Sequence, residues 1–305
     1  MGNPANFVIV ENGSWQLYYD HLVGCRMLDA LAFGPEFAVR YARAARVRPP
    51  TEWALAEGSA VIDLDRKRLL FFGDELMWDM PIRRAMLAVL ALTWPDYAVG
   101  WAYGGTDELA QYVGANHPWD KDLRGPDLTL AHDRNSPCHV VSVVDTDGCL
   151  RLWPLWWGVS SARHGAALLE LLPGRGFSKL RLGQIPAGGV HVDTRMRRVG
   201  VWYADDPQNV FDRLPSLWCG WQSECWDDHY EEQVALCGSA LWVPDLDLGV
   251  GATNGLEWIR KRIFASLHDA LNKGGVLPSP RQPPHSEWSK FEEACSRVGL
   301  YTQSA

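Results

Sequence analysis

The sequence has no long apolar run and no excess of positive charge. No apolar stretch reaches the roughly 18 to 20 residues that a bilayer span requires, and the opening segment 1–7 has neither the basic nor the apolar region of a secretory signal. The chain carries 29 Lys and Arg against 37 Asp and Glu, a formal net charge of -8, which repels a phosphate backbone. We therefore expect a cytoplasmic protein that binds neither membranes nor nucleic acid.

The motifs of the common cofactor and nucleophile sites are also missing. The chain contains no Gly-x-Gly-x-x-Gly after a strand, no Gly-Lys-Ser/Thr phosphate loop, no Gly-x-Ser-x-Gly elbow and no His-Glu-x-x-His pair. The remaining glycine pairs lack the strand-to-helix context that holds a phosphate. We therefore predict no cofactor.

The cysteines form neither a disulfide framework nor a metal site. There are 7 of them, an odd number without the spacing of a small stapled domain, which favours reduced thiols. Cys219, Cys225 and His229 come nearest to a metal-binding spacing, but no second pair of Cys or His follows at the distance that a zinc site needs. We therefore predict no metal.

What the sequence does have is a globular composition and many tryptophans. Hydrophobic residues make up 47% of the chain and charged residues 22%, which excludes the disordered, collagen-like and coiled-coil classes. The 16 tryptophans are the unusual feature of this composition. Any account of function has to explain where they lie.

An internal repeat runs through the chain. Residues 58–72 align without a gap on 188–202, sharing the first glycine, an aspartate and the alternation of apolar residues that follows. Repeats of this kind decide the fold and have to be identified first. We predict two copies, about 6–114 and 139–238, with chance matching of common hairpin patterns as the alternative. Three further matches keep the same order: 8–18 with 143–153, 79–94 with 206–218, and 109–114 with 233–238.

Each copy has the pattern hairpin, helix, hairpin, helix, short strand, helix. Asn12-Gly13 is typical of a type I′ hairpin turn, and Asp79 followed by Pro81 is typical of a helix start. We predict an α+β fold of two pseudo-symmetric repeats with an antiparallel sheet and a C-terminal helical tail. The predicted parts are a first repeat (1–114), a connection (115–137), a second repeat (138–238) and a tail of strand or loop and two helices packed on the repeats (239–305).

Residues common to both copies are expected to serve the shared fold, whereas polar residues found in one copy need a local reason. Asp63 and Asp193 occur in both, so we expect them to bond the backbone of a turn. His191 replaces the Val61 of the first copy. It is either a polar group that points into a pocket or a satisfied core histidine.

Two further sets of polar residues are specific to one copy. Asp20 and His21 end a strand, where His21 is either a general base or a residue that bonds a backbone carbonyl. Asp228 and Glu232 lie four residues apart on one helical face, where they either act in acid/base or cation chemistry or complement the helix dipole. The candidate catalytic residues are His21, Asp20, His229, Asp228, Glu232 and His191.

The tryptophans divide in the same way. Those that recur at matching places, Trp94 with Trp218 and Trp202 with Phe72, are expected in the core. The unmatched aromatic residues are candidates for binding, with packing in the core as the alternative. These candidate ligand-binding residues are Trp101, Tyr103, Trp156, Trp157, Trp221 and Trp226.

Two functions fit these observations. In the first, the two repeats enclose an aromatic, acidic cleft that binds an aromatic or cationic small molecule through stacking and cation–π contacts, with acid/base or hydrolytic catalysis as an extension. In the second, the chain is an acidic, tryptophan-rich interaction protein of the inhibitor or immunity type. A concave aromatic cluster around His or carboxylate groups favours the first function, and exposed tryptophans favour the second.

Overall fold

A computed structural model describes residues 2–49, 56–115, 128–133, 135–156, 161–205, 210–272 and 281–301. The chain forms two compact units, Met1–Pro118 with Asp247–Ala305, and Trp119–Leu246. Each unit contains helices and a multi-strand sheet, which confirms the predicted α+β class. Residues 116–127 and 134 of the predicted connection lie outside the described part of the chain.

The elements follow one another as the hairpin and helix signals indicate. In chain order the strands are β1 (Ala5–Glu11), β2 (Ser14–Asp20), β3 (Arg46–Arg48), β4 (Gly58–Asp63), β5 (Arg68–Phe72), β6 (Ala98–Trp101), β7 (Cys138–Val144), β8 (Leu150–Trp156), β9 (Leu180–Arg181), β10 (Gly188–Asp193), β11 (Arg198–Tyr203), β12 (Gln222–Cys225) and β13 (Leu241–Trp242). The helices are α1 (Leu28–Leu31), α2 (Pro35–Arg43), α3 (Met80–Thr93), α4 (Thr106–Tyr112), α5 (Leu168–Leu171), α6 (Val210–Leu217), α7 (Tyr230–Cys237), α8 (Leu248–Asn272) and α9 (His285–Tyr301). Short 3₁₀ helices at Glu75–Trp78, Ser161–Ala167 and Gly238–Ala240 complete the set.

The two main sheets share one strand arrangement. The first has the order β3-β2-β1-β4-β5-β6 and the second, written in the matching direction, β8-β7-β10-β11-β12. In both, two antiparallel hairpins lie side by side and a short strand joins the outer edge of the second hairpin. A separate two-stranded pair, β9 with β13, belongs to the second unit.

The prediction of an antiparallel sheet is wrong, because both sheets are mixed. β1 runs parallel to β4 and β5 parallel to β6, as β7 does to β10 and β11 to β12. A crossover through α3 connects β5 to its parallel neighbour β6, and a crossover through α6 connects β11 to its parallel neighbour β12. Parallel neighbours require such a crossover. Alternation of apolar residues reports which side chains are buried and carries no information on strand direction.

The predicted local signals hold where the structure describes them. Asn12 and Gly13 have φ values of 54° and 72°, which is the positive-φ pair of a type I′ turn. The carboxylate of Asp79 accepts the backbone N–H of Ile82 at 3.0 Å and caps α3. Asp63 accepts the N–H of Arg66 at 2.8 Å, and Asp193 does the same in its own turn for Arg195 at 2.9 Å and Met196 at 3.0 Å. Both aspartates therefore hold turns, as predicted.

Matching tryptophans occupy matching core positions. Trp94 donates its indole N–H to the carbonyl of Leu31 at 2.7 Å, and Trp218 donates to that of Ala162 at 2.9 Å. Each is fully buried and makes an edge contact at 5.2 Å with the aromatic residue three positions later, Tyr97 or Trp221 respectively. The prediction that the recurring tryptophans are core residues is confirmed.

Helices pack on the first sheet, and further helices pack on these. All of β4 is buried, with α4 packed against β4 and β5. The C-terminal helices α8 and α9 pack on α3, and the Phe33 ring contacts Trp288 and Phe291 of α9 with centroids 5.1 and 5.2 Å apart. No helix among the described residues combines the length and the apolar character that crossing a membrane demands.

A buried charge cluster ties α8 to the N-terminal part of the first unit. Arg262 of α8 lies 3.0 Å from the carboxylate of Asp74, which also accepts the backbone N–H groups of Leu28 and Leu76 at 2.9 Å. Asp29 lies 3.7 Å from Arg262 and 2.6 Å from Arg26. Burial outweighs both cations and raises the pKa of Asp29 to about 6, because a charged carboxylate loses its hydration there.

The raised pKa of Asp29 implies a contribution to stability that is larger in mild acid than at neutral pH. Its folded pKa of about 6 lies above the ordinary value of 3.8, so this contribution is present below about pH 4 and is lost as the pH rises through about 6. The difference between these two pKa values corresponds to about 3 kcal/mol in the free energy of unfolding. We predict that Asp29→Asn removes this fall, measured as the free energy of unfolding in denaturant between pH 4 and 7. Asp96→Asn, at an exposed aspartate, is the control, and identical pH slopes for wild type and Asp29→Asn would contradict the prediction.

Candidate functional sites

The strand-end residues Asp20 and His21 have different partners. Asp20 is buried, accepts the N–H of Leu22 at 2.9 Å and pairs with Arg281. His21 is exposed and its Nδ1 lies 3.0 Å from the hydroxyl of Tyr19. The carboxylate is thus used in an internal ion pair, and the imidazole beside it is oriented by a phenol instead of a carboxylate.

The acidic segment before α7 also separates its side chains. Asp228 is buried, whereas His229 and Glu232 are exposed. The Nδ1 of His229 lies 2.9 Å from the carbonyl of Trp226. Since a carbonyl only accepts, Nδ1 carries the proton in this contact. Within the described part of the chain, no group of three or more His, Cys, Asp or Glu residues is arranged to hold a metal ion.

His191 belongs to a buried polar network on one face of the second sheet. Its Nδ1 lies 2.8 Å from the hydroxyl of Ser142, which is paired with it across β7 and β10. Gln233 of α7 donates to that hydroxyl at 2.8 Å and to the carbonyls of Val140 and Val190 at 3.0 and 3.1 Å. Its amide oxygen accepts the indole N–H of Trp202 at 2.8 Å.

This network surrounds His191 with neutral groups. Trp202 and the two carbonyls settle the orientation of the Gln233 amide, so the Ser142 hydroxyl accepts from Gln233. The proton of that hydroxyl has two acceptors within reach, the Nδ1 of His191 at 2.8 Å and the carbonyl of Val190 at 3.4 Å. Burial lowers the pKa of His191 to about 4, which removes it from acid/base work near neutral pH. Of the two readings left open by the sequence, the geometry fits the satisfied core histidine.

The first sheet has apolar residues at the corresponding positions. Val8 pairs with Val61 across β1 and β4, where the second sheet pairs Ser142 with His191. The sequence alignment of 8–18 with 143–153 is therefore wrong by one residue in the first strand of the hairpin, where Val8 corresponds to Ser142 in the structure. The cause is the hairpin loop: Val144 pairs with Leu150 around five residues, whereas Val10 pairs with Trp15 around four. With the correct register, Ser142 is a polar residue specific to one copy, which sequence comparison missed.

The buried imidazole makes the second unit sensitive to acid. The folded pKa of His191, about 4, lies below the ordinary value of 6.5, so its contribution is present above about pH 6.5 and is lost as the pH falls through about 4. The size of this effect is about 3 kcal/mol. We predict that His191→Gln, whose side-chain oxygen can accept from Ser142, flattens the free energy of unfolding between pH 6.5 and 4. His229→Gln, at an exposed histidine, is the control. An unchanged slope in His191→Gln would show that this imidazole does not titrate as the structure implies.

A second buried histidine, His139, pairs with an aspartate, and the sequence analysis did not predict this pair. His139 places Nε2 at 2.8 Å from Oδ2 of Asp205, and the Tyr203 ring contacts the imidazole at 5.3 Å. The other imidazole nitrogen, Nδ1, and the other carboxylate oxygen, Oδ1, are buried without a hydrogen-bond partner. A single histidine at the start of an apolar strand was the only sequence signal, and nothing in the spacing connects it to Asp205.

Most of the candidate binding aromatics are partly or fully buried. Trp101 is 4% exposed, lies edge-on to Phe71 at 5.2 Å and has the guanidinium of Arg83 at 4.3 Å from its ring. The others that the structure describes are half-buried: Trp221 rests on Trp218, Trp226 lies against Gly200 and donates to Glu224 at 3.2 Å, and Tyr103 packs on the first core. Trp157 lies outside the described residues.

Trp156 is the exception, because it is one of the exposed aromatic residues of the second unit. We use the term aromatic surface for the exposed residues Trp156, Phe177 and Trp242 together with Arg181. The exposed fractions of its aromatic side chains are 46% for Trp156, 46% for Phe177 and 45% for Trp242. The guanidinium of Arg181 lies 4.1 Å from the ring of Trp242.

Regular backbone contacts hold these side chains in place. Phe177 exchanges two backbone hydrogen bonds with Leu152 on the outer edge of β8, at 2.8 and 2.9 Å. Trp156 lies four residues along the same strand, so the two rings stand on one face of the sheet. Trp242 is in β13, where it pairs with Arg181 of β9. Arg181 lies four residues after Phe177 in the chain.

Comparison with known proteins identifies no relative. No protein family model matches the chain, and no curated protein or solved structure is significantly similar to it.

Proposed function

We propose that this protein acts by binding another protein through the aromatic surface of its second unit. The observation that carries the proposal is the exposure of Trp156 and Trp242, which are close to half accessible although both sit in strands. Tryptophan is highly buried on average, and Trp and Arg are the residues that most often dominate binding energy at protein interfaces. The stacked pair of Arg181 and Trp242 offers both.

The arrangement of the titratable groups supports binding over catalysis. In the first unit Asp20 is held by Arg281 and His21 by Tyr19. In the second unit His191 is a neutral core residue, and Asp228 is buried away from the exposed Glu232. The net charge of -8 favours the approach of a basic partner, as in an inhibitor or immunity-type protein. Binding of an aromatic or cationic small molecule between the repeats, with acid/base or hydrolytic chemistry, stays a prediction.

We further propose that the two units arose by internal duplication. Support comes from the shared strand order and directions, from the two buried tryptophans that bond equivalent carbonyls, and from the two turn aspartates.

We also propose that the protein is cytoplasmic. This location is supported by the 7 cysteines, all of which are free thiols.

Replacing the polar network by its apolar counterparts tests the duplication. Gln233→Leu alone removes the acceptor of the Trp202 indole N–H and the donor to the Ser142 hydroxyl, so we expect it to lower the free energy of unfolding by about 3 kcal/mol. The fourfold variant Ser142→Val, His191→Val, Trp202→Phe, Gln233→Leu installs the residues of the first unit. We expect it to recover more than half of that loss, because a fully apolar set leaves no unpaired polar group. A fourfold variant no more stable than the single one would contradict equivalence of the positions.

Paired tryptophan variants test the interaction. The intact protein, immobilised and exposed to lysate of its native cells, is expected to enrich a partner whose recovery falls at least tenfold for Trp156→Ser/Trp242→Ser, since an anchoring tryptophan contributes about 2 kcal/mol or more. Recovery is quantified by mass spectrometry, and thermal unfolding shows that each variant is folded. Trp258→Ser is the matched control, because this residue of the other unit is 48% exposed. Equal recovery on the double variant, equal loss on the control, or no enriched protein would each refute the proposal.

A further inference from the structure

The first unit carries an open groove of about 680 Å³. One wall is α2, which contributes Val39, Arg40 and Arg43. The turn between β4 and β5 contributes Leu64 and Lys67. Its volume lies within the roughly 300 to 1,000 Å³ typical of small-ligand sites. Tyr97, just before β6, closes one side.

Three cations line the groove in a protein that is negative overall. Arg40, Arg43 and Lys67 are among the lining residues, with the carboxylate of Glu36, and the two arginines also pair with Glu287 and Glu11. Among the described residues, no carboxylate lies within ion-pair distance of the Lys67 ammonium, whose neighbour is the Tyr97 hydroxyl at 3.5 Å. In a chain with a net charge of -8, this ammonium group favours an anion over a cation beside Tyr97.

The two arginines can be shared with a ligand. Arg40 lies 3.3 Å from Glu287 and Arg43 lies 2.8 Å from Glu11. The Arg43–Glu11 pair is exposed on both sides, at 47% and 48%, and exposed ion pairs are weak. In the other pair Arg40 is 39% exposed and Glu287 is 13% exposed. An anion therefore competes with a weak partner at Arg43, and at Arg40 it shares the guanidinium group with Glu287.

Tyr97 gives the groove a fixed aromatic wall. Its ring meets the ring of buried Trp94 edge-on at 5.2 Å, and Trp94 is anchored to the carbonyl of Leu31. The Lys67 ammonium lies 5.1 Å from the centre of the Tyr97 ring. The ring is thus held from behind by the core and faces the cations, so an aromatic group and an anionic group can be bound side by side.

We propose that this groove binds an organic anion in which a carboxylate or phosphate is attached to a flat ring. The acid group accepts from Arg40, Arg43 and Lys67, and the ring packs on Tyr97 with the apolar side chains of Val39 and Leu64. The site lies in the first unit and shares no residue with the aromatic surface. If no organic anion binds in the groove, the proposed protein interaction is therefore unaffected.

The second unit supplies a matched control for Lys67. Lys67 and Arg197 occupy the same place in equivalent turns, with φ values of 52° and 50°. Each carbonyl accepts the N–H of the first residue of the next parallel strand, Ala98 or Gln222, at 2.8 Å. Asparagine tolerates this left-handed backbone, so Lys67→Asn and Arg197→Asn remove a charge without straining either turn.

Calorimetric titration of the full chain with phenyl phosphate, benzoate, inorganic phosphate and benzylamine tests the proposal. We expect phenyl phosphate and benzoate to bind, inorganic phosphate to bind at least tenfold more weakly, and benzylamine not to bind. Arg40→Gln/Arg43→Gln and Lys67→Asn should each weaken phenyl phosphate at least fivefold, whereas Arg197→Asn should leave it unchanged. Absence of aryl anion binding, equal binding of benzylamine, an equal effect of Arg197→Asn, or binding of a glutamate-rich peptide in place of the aryl anions would overturn it.

Discussion

The central parallel pair of each sheet, β1 with β4 and β7 with β10, constrains the rest of the structure. These strands have a neighbour on both sides and helices on their faces, so β4 is buried throughout and β10 nearly so. The sheet ladder satisfies their backbone groups, and each side chain has to be apolar or find a partner inside the protein. The hairpins, the crossover helices and the buried tryptophans follow from this arrangement.

The same constraint decides the chemistry of the polar residues in these strands. Ser142 is tolerated because Gln233 reaches it from α7, and His191 because Ser142 bonds its Nδ1. Burial lowers the pKa of His191 to about 4 and so favours the neutral imidazole. Where the first sheet has valines, no such partner is required. A polar residue found in only one of the two units thus has a local reason, and for Ser142 and His191 that reason is a hydrogen-bond network in the core.

Local features were predictable from the sequence, and distant pairings were not. The turn at Asn12-Gly13, the cap at Asp79 and the matching of Trp94 with Trp218 depend on neighbouring residues or on similarity between segments. Strand direction and the position of Ser142 depend on connections and on a hairpin loop longer by one residue. The contacts of Arg262 with Asp74 and of His139 with Asp205 join residues 188 and 66 positions apart, for which a single sequence holds no signal.

Because the polar groups of the described cores are largely engaged internally, the groups available for recognition lie at the surface, where neighbouring residues hold them in place. Trp156 is fixed by backbone pairing of β8 on both of its edges, to β7 and to Thr129. Trp242 is held by Arg181, and Tyr97 is held by Trp94. A side chain that is ordered before binding loses little conformational entropy when a partner arrives. Rigid aromatic groups on strands and at strand ends are therefore able to anchor a partner without rearrangement of the sheets that carry them.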